Sequence, residues 1–160
     1  MFHHQLQNYH TMKKIRITLL IALGLITSHV YSQQKHHTMT NQEVVEKFLS
    51  GFNDPSKIQA SLALLADDYQ FTNPMVQLQS KAEFVALAQE MGQILTGVHL
   101  IRSAEDGDWV ATFYEFKSSI PGLESNMATE WFRLKDGIIQ ESHLVYDASE
   151  WRKVYEQMEQ

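Results

Sequence analysis

Residues 129–147, TEWFRLKDGIIQESHLVYD, hold two runs of alternating apolar and polar residues that meet at Asp136-Gly137. Asp-Gly between such runs predicts a two-residue β-hairpin, because both central residues of the favoured turn take φ > 0. The same period of two extends upstream. Val98 to Ala104 reads as a strand, and Glu105-Asp106-Gly107 turns it. Trp109 to Lys117 is the next strand, with Val110, Thr112, Tyr114 and Phe116 on one side. Ser118 to Ser125, around Pro121-Gly122, reads as a loop. Met127 to Lys135 and Ile138 to Asp147 then form the closing hairpin. Four consecutive strands of this kind predict an antiparallel sheet whose apolar face needs a cover.

The first half of the domain supplies that cover. Thr40 precedes Glu43 in capping-box spacing, and Val44, Val45, Phe48, Leu49 and Phe52 fall on one helical face. Pro55 suits the first turn of a second helix capped by Asp54, with Ile58, Leu62 and Leu65 as its stripe. Ala66-Asp67-Asp68 is expected to end that helix. Tyr69-Gln70-Phe71 reads as a short strand closed by Asn73-Pro74. Ser80 with Glu83 opens a long helix to about Leu95, with Phe84, Leu87, Ala88, Met91, Ile94 and Leu95 inward. Ala148 to Gln160 reads as a terminal helix carrying Trp151, Val154 and Tyr155. The expected architecture is α+β: a curved antiparallel sheet wrapped around a long helix, with a pocket at the open end of the cone.

The N-terminus predicts export. Lys13, Lys14 and Arg16 form a basic region behind Met12, and Ile17 to Ile26 is apolar except for Thr18 and Gly24. Val30 and Ser32 stand where a signal peptidase requires small residues or tolerates Val, before Gln33. The run falls short of the roughly 20 residues that cross a bilayer. Residues 1–32 are therefore expected to be an extension plus signal peptide, residues 33–40 a flexible leader, and residues 41–160 the domain. The expected location is periplasmic or secreted. Cleavage leaves 10 Lys+Arg against 19 Asp+Glu, a net charge of −9. Such an acidic chain is a poor match for nucleic acid or an anionic membrane surface. The sequence has no cysteine, so it has no disulfide framework.

The element order, VEKFLSGFND (45–54), LALLADDYQFTNP (62–74) and FRLKDGIIQESHLVYD (132–147) together resemble the nuclear-transport-factor-2-like, cystatin-like cone superfamily. SnoaL-like polyketide cyclases and ketosteroid isomerases belong to it. The resemblance implies the cone fold, a homodimer and a ligand pocket. It also allows the isomerase branch's catalytic residues to be checked singly. The branch's basic Asp, before the proline that follows the first strand, is here Asn73, and an amide takes up no proton. Its helix-one tyrosine is here Phe48. Its acidic oxyanion donor falls at about Glu130. Steroid isomerisation by that machinery is therefore not expected.

Strict alternation in the last strand puts Ile139, Glu141, His143 and Val145 on one face. By resemblance to the superfamily's last strand that set faces the cone, so His143 is expected in the pocket as a general acid or base. Glu130 shares a face with Ala128, Phe132 and Leu134. A carboxyl on an apolar face is seldom buried without a partner. It is expected either to act as an acid of raised pKa, or to pair with an Arg such as Arg102 or sit near solvent. Phe48, Tyr69, Phe71, Asn73, Phe84, Tyr114 and Phe132 are the expected ligand-binding residues, with His143 and Glu130 the candidate catalytic pair. Two domain histidines without ligand spacing, and no phosphate loop or nucleophile elbow, predict neither a metal nor a cofactor. The readings that follow are an exported binder of a small apolar or amphipathic molecule, a cofactor-free isomerase, cyclase or dehydratase, and a homodimeric interaction module.

Overall fold

The Asp136-Gly137 turn forms as the sequence predicts, with φ of 52° and 73° at its two residues. It joins β5 (Ser125–Lys135) to β6 (Ile138–Tyr146), and the ladder runs back through β4 (Trp109–Ser118) to β3 (Leu95–Asp106). This computed structural model describes residues 38–158. The expected signal peptide and the extension before it lie outside the described residues.

A capping box starts helix α1 (Asn41–Ser50): Thr40 Oγ1 accepts from Glu43 N, and the Glu43 carboxylate accepts from Thr40 N. Its buried stripe is Val44, Val45, Phe48 and Leu49. A 3₁₀ turn (Gly51–Asn53) and the short helix α2 (Ile58–Leu62) follow. Gly51 is required here, since a Cβ would meet Ser61 Oγ at 1.8 Å. Asp54 accepts from Ser56 N and Oγ, so it caps the turn at Pro55 rather than the helix, which begins later than expected. Helix α3 (Lys81–Met91) starts at Ser80, whose Oγ accepts from Glu83 N. It stops at Met91 instead of reaching Leu95, because Ile94 and Leu95 are drawn into the sheet side of the chain. Helix α4 (Ser149–Met158) closes the domain.

Two further departures concern the strands. β1 (Leu65–Thr72) begins four residues earlier than Tyr69 and takes in Ala66-Asp67-Asp68. The two aspartates are exposed strand residues, not a helix end. A two-residue strand, β2 (Gln77–Leu78), pairs with the end of β1. The sheet order is β2-β1-β6-β5-β4-β3. Every pairing is antiparallel except β1 with β6, which is parallel.

The feature that positions the site is a bulge in β6. Arg133 faces Glu141, yet the next residue, Leu134, faces Ile139. Gln140 is therefore an extra residue, and it reverses the phase of everything after it. Ile139 points to the core, but so do Ser142 and Leu144, while Glu141, His143 and Val145 point outward. The expected common face of Ile139, Glu141, His143 and Val145 does not exist. β4 and β5 carry no bulge in their mutual pairing and keep strict alternation: Val110, Thr112, Tyr114 and Phe116 are buried, as are Ala128, Glu130, Phe132 and Leu134.

The core lies between the inner face of this sheet and helices α1 and α3, around Phe48, Phe84 and Phe132. The free edge of β3 is capped at Val98. Asn53 bonds both backbone groups of Val98, donating from Nδ2 at 2.8 Å and accepting at Oδ1 at 2.7 Å. One side chain thereby substitutes for a neighbouring strand.

Candidate functional site

The inner face of the sheet does not fill the cone. A cavity of about 420 Å³ remains between β4–β6, α1, α3 and α4. Helix α3 shows why. Of its apolar stripe only Phe84 is buried, and Leu87, Ala88 and Met91 line the cavity beside it. On the opposite side α4 contributes Trp151 and Tyr155. Trp151 is fixed by its indole N–H donating to Asn126 Oδ1 at 2.9 Å, and the Tyr155 hydroxyl donates to Met91 Sδ at 3.2 Å.

Glu130 is the one buried carboxyl among the described residues, only 4 % exposed, and it lines this cavity. The alternation of β5 places it there with Ala128 and Phe132. Its partners are hydroxyls, not a guanidinium. Tyr114 donates to Oε2 at 2.7 Å and Ser142 donates to Oε1 at 2.6 Å. Ser142 Oγ is also 2.6 Å from the Tyr69 hydroxyl. Since Ser142 spends its proton on Glu130, Tyr69 is the donor in that pair. The result is a chain, Tyr69 to Ser142 to Glu130, met from the other side by Tyr114. Arg102, the expected alternative partner, is exposed and donates to the carbonyl of Ile101.

Burial pushes Glu130 up from 4.5 to about 7, against the lowering effect of Ser142 and Tyr114. Desolvation thus outweighs two hydrogen bonds to the charged form. Burial likewise raises both Tyr69 and Tyr114, and the nearby Glu130 charge raises them further. The two phenols are donors throughout the physiological range.

The other expected site residues separate into three groups. Phe48, Phe71, Asn73, Phe84 and Tyr114 line the cavity with Glu130. Tyr69 and Phe132 are fully buried behind that lining, Tyr69 through its bond to Ser142 and Phe132 against Phe48 at a ring separation of 5.8 Å. His143 is on the other face of the sheet. Its side chain is 49 % exposed, it stacks on Trp109 at 6.2 Å, and Nε2 is 3.9 Å from Glu141. It cannot take a proton from anything inside the cone. The bulge at Gln140 is the physical reason. His99, whose facing the sequence leaves open, is also exposed, opposite Glu115.

Asn73 has a structural task at the rim. Its Oδ1 accepts from Met75 N at 2.7 Å and Val76 N at 2.8 Å, and its own N–H donates to the Val76 carbonyl. The amide oxygen holds the turn between β1 and β2, and its other face lines the cavity. Sequence reasoning missed Ser142, Leu144 and Tyr146 because they stand in the phase that strict alternation turns away from the cone. The i, i+4 pair Trp151 and Tyr155 is visible in the sequence as the apolar stripe of α4, with no sign that it borders a cavity.

Comparison with known proteins agrees on the fold. The model of the SnoaL-like domain family matches residues 45–142. No curated protein matches the chain. Among solved structures, an NTF2-like protein of unknown function from Cytophaga hutchinsonii superposes with a TM-score of 0.61 at 17 % identity, covering 75 % of this chain and 98 % of its own. An LEH-like epoxide hydrolase of M. tuberculosis gives 0.60 at 22 % identity, covering 71 % and 86 % respectively. A de novo designed protein with a curved β-sheet gives 0.60 at 16 % identity, covering 74 % and 96 %. A natural enzyme and a designed scaffold sharing one fold makes plain that function must be argued from the site.

Proposed function

Because the chain belongs to the SnoaL-like domain family, we propose that its cone binds a small apolar or amphipathic molecule, with Glu130 and Tyr114 meeting the ligand's polar end. One observation carries this reading. A largely apolar cavity of about 420 Å³ contains a single buried carboxyl, held by a set of hydroxyls. A few placed polar groups in an apolar concavity are the usual make-up of a small-molecule site. Export through the basic and apolar N-terminus would put that site in the periplasm or outside the cell.

The same carboxyl supports an enzymatic reading. A group that titrates at about 7 suits proton transfer at neutral pH, so Glu130 could serve a cofactor-free isomerase, cyclase or dehydratase, with Tyr114 donating to a developing oxyanion. His143 has no part in it. The outer sheet face supports a homodimer, since Phe113, Met127, Trp131 and Val145 are each at least 43 % exposed there.

The test is a thermal-shift screen of amphipathic small molecules on protein expressed from the whole chain, repeated on Glu130→Gln and Leu144→Trp. A hit is expected to raise the melting temperature of the wild type and not of Leu144→Trp, in which the cavity is filled. Ligands that stabilise Leu144→Trp as strongly as the wild type would place binding elsewhere and end this reading.

A further inference from the structure

The charged lining of the cone is all of one sign. Glu130 at its base and Glu90 at the end of α3 are acids, and no Lys, Arg or His lines it among the described residues. Two basic groups outside the lining bond to backbone: Arg152, whose charge acts on Tyr146, donates to the Pro74 carbonyl, and Lys81 donates to the Leu65 carbonyl. The rest of the wall is rich in ring faces and soft sulfur, including Phe48, Phe84, Tyr114, Phe116, Met75 and Met91.

The direction of the hydrogen bonds narrows the ligand further. Tyr114 and Ser142 each donate to one oxygen of Glu130, and Tyr69 backs Ser142. These bonds favour the carboxylate, while burial opposes it and leaves the group titrating at about 7. When ionised, the group lacks the positive charge that a buried carboxylate ordinarily pairs with. Aromatic faces attract cations as well. The acidic chain, with 19 Asp+Glu against 10 Lys+Arg from Gln33 onward, adds long-range attraction of the same sign.

We propose that the ligand of the cone is a lipophilic amine in its ammonium form, its charged head at the Glu130 carboxylate and its apolar body among the rings and methionines. The proposal rests on the reading of the cone as a ligand site and names its chemical class. The ammonium supplies the missing countercharge, and Tyr114 and Ser142 keep their bonds to the carboxylate oxygens. The groups facing Glu130 do not compete for this role. β4 presents Tyr114, β6 presents Ser142 and Tyr146, and β1 presents Tyr69 through Ser142. α4 offers Tyr155, and the lining from α1 and α3 is uncharged apart from Glu90. Burial keeps the four phenols protonated.

The experiment compares octylammonium, octanol and octanoate, three probes with one apolar body and three head groups, by titration calorimetry on protein expressed from the whole chain. At pH 8.5 octylammonium is expected to bind most tightly. Toward pH 5.5 its affinity is expected to fall by up to about thirty-fold, following the ionised fraction of a group titrating at about 7. Octanoate is expected to follow the opposite trend, and Glu130→Gln to flatten the amine's pH dependence. Octanol or octanoate binding as tightly as the amine at pH 8.5 would overturn the amine proposal while leaving the cone as a ligand site. Failure of all three probes to bind at either pH would remove the ligand-site reading, and the proposal with it. Should Glu130→Gln fail to fold, the pH series on the wild type decides alone: a flat amine profile overturns the proposal.

Discussion

Trp131 and Phe132 are consecutive residues of one strand and live in different solvents. Phe132 is fully buried against Phe48, whereas Trp131 is 50 % exposed opposite His143. The same holds for acids across the sheet. Glu130 sits inside among hydroxyls and titrates at about 7, while Glu141 sits outside between Arg133 and His143. The inner face combines desolvation with fixed dipoles and leaves a void. The outer face combines solvated ion pairs with scattered large apolar groups. Chemistry that needs a perturbed group belongs to the first, and association with another protein surface to the second.

The largest test of that division is a pair of substitutions one residue apart. Phe132→Ala empties a fully packed site and is expected to cost about 3–5 kcal/mol in chemical denaturation. Trp131→Ala is expected to change the stability of a monomer by no more than about 0.5 kcal/mol, as for ordinary surface changes. Its effect is instead expected in light scattering, as loss of the dimer proposed for the outer face. Equal destabilisation by the two would erase the distinction between the faces.

A smaller effect separates the acids. In the unfolded chain Glu130 titrates near 4.5, and in the native domain at about 7. Between those values the native state holds a proton that the unfolded state has released. Stability therefore falls as pH rises from about 4.5 to 7 and is level above, by a total on the order of 3 kcal/mol. The hydrogen-bonded carboxylates Glu46, Asp54, Glu124 and Asp147 are held below their usual values and act in a lower window, where stability falls with falling pH. Denaturation midpoints across pH 5 to 8 would show the Glu130 slope, and Glu130→Gln is expected to abolish it. A slope that persists in that variant would mean another group carries it.

Most of the fold was legible because its signals are local. Asp136-Gly137 dictates a turn by its φ requirements, Thr40 with Glu43 starts a helix by reciprocal capping, and period two in Trp109 to Lys117 marks a strand. β1 was read short because Asp67-Asp68 looks like a helix terminus, although exposed strand positions accept acids equally well. The site was half legible. A carboxyl in the apolar phase of β5 announces Glu130, and Tyr114 shares the phase of its own strand. Ser142 could not be found the same way. Its approach to Glu130 depends on one extra residue, Gln140, that carries no glycine, proline or other mark of a bulge. Strand phase is a cumulative property, so one unsignalled insertion misplaces every residue beyond it.

His143 is where that error had the greatest functional weight, and it gives the smallest expected effect. Outside the cone it touches Trp109 and Glu141, both on the same outer face of the sheet. His143→Ala should therefore shift monomer stability by no more than about 0.5 kcal/mol. Ligand-induced stabilisation should be unchanged, since no path leads from the outer face to Glu130 except through the sheet. Its one expected consequence is at the neighbouring Trp109 and Trp131, whose indole fluorescence would lose the imidazole beside it. If instead His143→Ala removed a ligand response that Leu144→Trp left intact, the bound molecule would lie on the outer face. The cavity around Glu130 would then be a void in the packing and not a site.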